Sequence, residues 1–379
     1  MNHPHRLVGL DAARARFGAR ADRIAAFFSE SDELADAAVL ALQALPSDEG
    51  RALVSGALEH GTASLITARA PRAVLDLFRQ LEHVPFWVDR DRCSRGGRVF
   101  FRCGPFGGIA LGFGSLARAY CSSGGNKPLA MTRALIDHAP KRVANTGEFV
   151  RAVSSTDGLR VGGPGYKQAV YVRLMHARVR LALQKDEAWR ADDWGVPINQ
   201  ADMAVTALLF SHGFATFVRK IGVPVSEREE DDLVHLWRYA GYLMGVREEL
   251  LCATLAESQL LAEIIDVIDA GPDEDSRSLL APLLAREPFE AAVPSRRVAH
   301  AVHRMYVAAC REMLGTDFAD RVGLPRGFGD VYFRHLVRPT ISALGQAHQL
   351  TPGAEGRSQR VGERYWSAVG GRQAPAHRR

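Results

Sequence analysis

At 379 residues, 47% of them hydrophobic and 24% charged, the chain has ample material for one large core or two ordinary ones, which excludes a disordered or low-complexity protein. Its formal net charge of +5 sits mostly at the end, where residues 351–379 carry six arginines against two carboxylates. The near-neutral remainder lacks the clustered Lys and Arg with interleaved aromatics that a nucleic-acid groove requires, so nucleic acid is not the expected partner.

The five cysteines show no short metal or redox spacing and read as reduced, buried thiols. The opening MNHPHRLVGLDAARARFGARADRIAAFF lacks an unbroken apolar stretch followed by a small-residue cleavage site, so a cytoplasmic protein is expected. No apolar run approaches the roughly 18–20 residues of a membrane span; the best lies at 204–210.

In chain order, residues 9–80 are Ala-, Leu- and Arg-rich helix formers broken at Pro46 and Pro71, and predict a helical layer over 1–82 packed on the core. Residues 84–125 shift to Gly, Phe and Arg (GGRVFFRCGPFGGIALGFGS), for which irregular chain or a short hairpin is expected. Helical texture resumes at 128–153, 166–184, 200–221, 227–245, 248–268, 275–286, 296–314 and 330–343, almost without strand-like alternation. The prediction is an all-α fold with a main helical domain over 83–350 and a basic, disordered tail over 351–379.

Two segments carry candidate chemistry. Ala169, Val172, His176, Val179 and Leu183 follow steps of three and four and place His176 within an apolar helix stripe. A histidine so placed is either a metal ligand or a core residue bonded to a carbonyl. Arg173 and Arg180 flank it at helical spacing, either holding an anionic cofactor edge such as haem propionates or facing solvent. Thirty residues earlier, in KRVANTGEF, Arg142, Asn145 and Thr146 share a face that Phe149 extends. A cation, an amide and a hydroxyl beside a ring suit a small polar pocket for dioxygen, or an ordinary helix surface broken at Gly147.

Read together, GYKQAVYVRLMHARVR, WGVPINQADM (194–203) and LWRYAGYLMGV (236–246) resemble the bacterial latex clearing proteins, part of a wider oxygenase family with a fungal prenyl-chain-cleaving member. The resemblance covers 85–250. It implies a globin-like helical core, with additional N- and C-terminal helices, around a non-covalent b-type haem. It makes His176 the iron ligand and assigns the oxygen side to Arg142, Asn145 and Thr146. The family pattern there is Arg-x-x-Lys-Thr, and the lysine, which in relatives occupies the sixth iron position in a closed state, is Asn145 here. The upstream catalytic carboxylate of the rubber oxygenases is also missing: Asn126 is nearest in spacing, and Asp137 or His138 requires a shift. An amide cannot act as general base.

The implied reaction is dioxygen-dependent oxidation or cleavage of a C=C bond in an apolar small molecule. Its rivals are a globin-like haem protein that senses or carries a gas, a haem enzyme of different chemistry, and a helical interaction protein without cofactor. Other chemistries are less well served. The Gly-rich runs lack a dinucleotide-fold context, Asp232-x-x-His235 is the sole analogue of a di-iron motif, His300 and His303 lack a third ligand, and neither C-x-x-C-H nor G-x-S-x-G occurs.

Overall fold

The computed structural model describes residues 3–132, 134–292 and 294–371, leaving aside the side chains of 134–143, 289, 292, 370 and 371. The described residues contain helices and turns and no β-strand.

The N-terminal layer comprises α1 (Leu10–Phe17), α2 (Ala19–Ala26), α3 (Glu33–Gln43), α4 (Ser47–His60), α5 (Thr62–Thr67) and α6 (Arg72–Glu82). Asp32 caps α3 by accepting from the Ala35 N–H at 3.2 Å, and Pro46 and Pro71 stand at the starts of α4 and α6. Next come α7 (Arg90–Ile109), α8 (Ala117–Tyr120), α9 (Lys127–Met131), α10 (Ala134–Ser154), α11 (Pro164–Leu183), α12 (Ala191–Trp194), α13 (Gln200–Phe210), α14 (His212–Lys220) and α15 (Glu227–Leu243). The last third holds α16 (Leu255–Ile268), α17 (Glu274–Leu283), α18 (Glu287–Ala292), α19 (Arg296–Leu314), α20 (Thr316–Arg321), α21 (Phe328–Tyr332), α22 (Arg338–Gln349) and α23 (Ala354–Gly371).

The glycine-rich stretch expected to be irregular or a hairpin is α7, continued by a π-turn over Ala110–Leu116 into α8. Intrinsic propensity disfavours glycine in a helix, but tertiary packing overrides it here. A Cβ on Gly96 would stand 2.5 Å from the Asp232 carbonyl oxygen, and one on Gly97 2.0 Å from that of Ser154, so these glycines let α15 and the end of α10 pack backbone to backbone on α7. The helix kinks at Gly104, whose φ of +48° precedes Pro105. By length and composition the run Arg90–Tyr120 could cross a membrane, but more than half of its most apolar stretch is buried inside the fold, as in a core helix.

Residues 351–379 are likewise not a disordered tail throughout: α23 lies along α7. The Trp366 ring packs 4.9 Å from that of Phe100, and Gly362 faces the Phe101 carbonyl where a Cβ would come within 1.7 Å. The net charge of this segment concealed a small apolar face that needs a glycine to dock. The main core runs through α3, α6, α7, α11, α13, α14, α15 and α16, with a smaller cluster where α8, α17 and α19 meet around Tyr120, Leu280 and Cys310.

Candidate functional site

Helix α11 starts at Gly163–Pro164, a proline at the first helical position, and packs against α3, α10 and α15. Its most buried line is Tyr166, Ala169, Val170, Arg173, Ala177 and Arg180. The centre of the buried face therefore lies about one residue round from the predicted stripe, and His176 stands at its edge with Val172 and Val179, all half-buried. The Nδ1 of His176 is closed to solvent. Helix α10 packs along α11. On it Asn145 is exposed, Thr146 is half-buried and Phe149 is buried, 5.9 Å from Trp237, which stacks on Phe210 at 4.7 Å. The side chain of Arg142 lies outside the described residues, as do those of Asp137 and His138.

The arginines flanking His176 are committed elsewhere, which corrects the reading of them as holders of a cofactor edge. Arg173 grips Asp32 through Nε (2.7 Å) and Nη2 (3.0 Å), and donates through Nη1 to Gln80 Oε1 (2.5 Å). Arg180, fully buried, pairs with Asp36 one helical turn further along α3 and donates to the carbonyls of Pro197 (3.2 Å) and Ile198 (3.1 Å). Buried guanidiniums need such partners, since an uncompensated charge in the core costs several kcal/mol. Arg173 and Arg180, two turns apart on α11, thus each reach an aspartate at the start of α3, their long side chains spanning the difference in spacing. This double lock fixes the rotation of α11, and with it the direction of His176.

The PINQADM segment is part of the same polar framework. Ile198 adopts φ +50° and presents its carbonyl to Arg180. Asn199 caps α13 by accepting from the Asp202 N–H (2.9 Å), and Gln200 donates to the Ser31 and Gly245 carbonyls (3.0 and 3.1 Å). Asp202 pairs with the buried Arg6 (3.0 Å), which also reaches Asp269 (3.1 Å). Burial pushes the Asp202 carboxyl above its ordinary range, against the opposing pull of Arg6.

The remaining candidates resolve as structural contacts. Asn126 is wholly buried and donates to Asp273 (2.9 Å) and Ser276 (3.0 Å) at the start of α17. Glu148, the carboxylate nearest Thr146 in sequence, pairs with Arg151 (Nε–Oε2 2.8 Å). Asp232 accepts from Arg95 (2.8 Å), and His235 Nε2 accepts from the Asp89 N–H (3.0 Å). Burial, then the nearby Arg92, holds the His235 imidazole below its ordinary pKa and so neutral. His303 contacts the Leu284 carbonyl (2.9 Å). Among the described residues no three His, Cys, Asp or Glu side chains are grouped to hold a metal.

Two features escaped the sequence reading. Glu230, buried on α15, meets His212 Nδ1 and Arg219 at 2.5 Å each. Burial raises its carboxyl, but the hydrogen bonds from His212 and Arg219 outweigh this and hold it below the ordinary range. Tyr166 and Tyr239 bury hydroxyls with no hydrogen-bond partner among the described residues, and burial pushes both phenols up, Tyr239 to about 12. An E-H-R cluster spread over two helices has no short spacing to reveal it, and an unpaired phenol has no sequence signature at all.

The fold and site thus define an all-α protein whose core carries a half-buried histidine on a helix tied to the N-terminal layer by one buried and one partly buried ion pair. The chain belongs to the family described as ER-bound oxygenase mpaB/B'/Rubber oxygenase, catalytic domain, whose model matches residues 105–343. It is 27% identical over 267 residues to the rubber oxygenase of Streptomyces sp. (strain K30), a match covering 66% of this chain and 61% of that relative. The solved structure of latex clearing protein LCP in the closed state shares the fold, with a TM-score of 0.62 at 19% identity over 78% of this chain and 79% of the other. The family match runs about ninety residues past the stretch in which the resemblance was legible, taking in α16 to α21 and part of α22, while α1 to α6 and α23 lie outside it.

Proposed function

We propose that this chain is an oxygenase that uses dioxygen to oxidise or cleave a C=C bond in an apolar molecule, with a b-type haem held by His176. The observation that carries the reading is the position of His176: VRLMHARVR falls within the matched region, on a core helix whose rotation is fixed from outside that region. His176, a half-buried imidazole with its Nδ1 closed to solvent, would hold the haem iron, whereas Arg173 and Arg180 do not suit propionates, because Asp32 and Asp36 hold them. Haem bound there would supply an iron centre able to take up dioxygen, with the surrounding groups deciding between carriage and activation.

The chain's own contribution is a mostly apolar surround. Phe149 and Trp237 are buried and pack with the half-buried Phe210 into one aromatic cluster, and Thr146 lies one turn before Phe149 on α10 with its side chain half-buried. Asn145 stands where the resembling proteins carry a lysine, so this turn of α10 would offer bound haem an amide and no amine. Asn126 stands nearest the family position in place of glutamate and Glu148 is engaged by Arg151, so among the described side chains of this stretch no carboxylate is free to take a proton. In a dioxygenase cleavage, the C=C bond breaks and both atoms of O2 end in two carbonyl groups, so no external reductant is required.

The test is the visible spectrum of protein expressed with haem supplied. A Soret band with stoichiometric iron is expected, and His176→Ala should abolish haem retention while helix content is kept. Absence of both band and iron refutes the haem assignment. The missing Lys and Glu favour a second reading, a haem protein that binds a gas without turnover. Anaerobic loading with candidate alkenes, followed by oxygen and product analysis, separates the two: carbonyl products establish the oxygenase, and oxygen binding without products establishes the carrier.

A further inference from the structure

Phe328, Val331, Tyr332 and Leu336 leave 85, 58, 52 and 50% of their surfaces in solvent. Helix α21 continues without interruption through a π-turn (Phe333–Val337) into α22, so these residues occupy successive turns of one rod and share a stripe. The opposite side is fastened to the protein: Phe333 is buried, Val337 and Ile341 pack on the main core, and Gly329 lies against α19. Single exposed apolar residues need no explanation, but a contiguous stripe does.

The flank of the stripe is basic. Arg334 and Arg338 share one carboxylate, Glu312, at 3.1 and 3.3 Å, which leaves two cations to one anion, and His335 beside them is exposed. Residues 296–379 hold fourteen arginines against six carboxylates, a surplus larger than the +5 of the whole chain, so the rest of the protein is net acidic. The positive field is concentrated at this end.

Three covers are conceivable, and the chemistry selects one. The residues after Gly371, RQAPAHRR, have no large apolar side chain to lay on the stripe. A second copy would bring two basic flanks together, at a cost in like-charge repulsion. A surface that is both apolar and anionic satisfies both parts, and the exposure continues along the rod through 338–340 and 346–350. We infer that the α21–α22 rod docks this protein on anionic lipid bilayers, with Phe328, Val331, Tyr332 and Leu336 entering the boundary between headgroups and acyl chains and Arg334 and Arg338 at phosphate level. The inference does not depend on the oxygenase reading.

The full chain is sedimented with vesicles of phosphatidylcholine and phosphatidylglycerol, and with vesicles of phosphatidylcholine alone. Binding to the anionic vesicles is expected, at least about tenfold tighter than to neutral ones and weakened by salt. Arg334→Gln/Arg338→Gln should weaken anionic binding by about ten- to thirtyfold. Phe328→Ser/Tyr332→Ser/Leu336→Ser should abolish it; because these side chains are exposed, circular dichroism and thermal melting should match wild type. The inference is overturned if anionic vesicles do not bind the protein, or if the triple variant binds as wild type. It is equally overturned if sedimentation shows a wild-type dimer that the triple variant renders monomeric, which would make the stripe a self-interface.

Discussion

Arg180→Met separates the two jobs open to a buried arginine next to a candidate cofactor ligand. The methionine keeps most of the apolar stem but strips Asp36 of its counter-charge and leaves the Pro197 and Ile198 carbonyls without their donor. Removing one partner of a buried pair costs about 3–5 kcal/mol, and because Asp36 is only half-buried the lower end of that range is expected. Asp36→Leu/Arg180→Met removes both charges, so the double variant should lose less than the sum of the two singles, with a coupling of about 1.5 kcal/mol or more. Guanidinium unfolding followed by far-UV circular dichroism, on protein made without added haem, measures all four corners of the cycle. An anchoring arginine destabilises the protein whether or not haem is bound, whereas one that holds a propionate leaves haem-free stability unchanged and weakens only haem retention. A single-variant loss below about 1 kcal/mol, or additivity within about 0.5 kcal/mol, refutes the lock between α3 and α11.

Gly362→Ala places a methyl group 1.7 Å from the Phe101 carbonyl oxygen, where no flexible side chain can yield, and α23 must lift by roughly 1.5 Å to regain van der Waals distance. The expected cost is about 1–3 kcal/mol, with faster proteolysis near residues 349–353 and a red shift of tryptophan emission as Trp366 gains solvent; unchanged cleavage and emission would show that α23 is not docked there. For Glu230 the sign follows from a folded pKa held below the ordinary value. Its contribution to stability is complete above the unfolded pKa of about 4.3 and is lost as the pH falls through the lower folded value. Glu230→Gln should therefore flatten the acid limb of stability against pH, and equal slopes for variant and wild type would count against the cluster. Burial pushes the Cys103 thiol up to about 12 and the Cys121 thiol to about 11, and Cys310 is buried as well. A thiol reagent at neutral pH should label native protein slowly and find five equivalents after unfolding; fewer than five would mean a disulfide.

The helical class and the existence of α10, α11, α13 and α15 were legible because their apolar periodicity is strong and their starts carry ordinary signals, Gly163–Pro164 before α11 and Ser226 with Glu229 in a capping box before α15. The rotation of α11 was not. Periodicity counts an arginine as outward-facing, and Arg173 and Arg180 face inward only because Asp32 and Asp36 wait about 140 residues away on a helix of unremarkable composition. Helix α7 was missed for the opposite reason: its glycines read as breakers, while in the fold they are where the Asp232 and Ser154 carbonyls approach. Charge counting misjudged α23, because six arginines in 351–379 outweighed the small apolar face of Tyr365 and Trp366.

Both helices that frame the candidate site are held by chain outside the family-matched region. On the α11 side, Asp32 and Asp36 of the N-terminal layer set the direction of His176. On the α10 side, a Cβ added at Gly147 would meet the Trp366 ring of α23 at 3.4 Å, and one at Gly108 would meet the Tyr365 hydroxyl at 2.9 Å. Gly147 directly follows Thr146, so the turn carrying Asn145 and Thr146 is the turn on which Trp366 rests. A larger residue at 147 would push α23 outward, and loss of α23 would expose the back of the helix that carries Thr146. The candidate site is therefore not contained in 105–343 alone: that region carries His176, Asn145 and Thr146, and the two terminal helical layers pack on the helices that bear them.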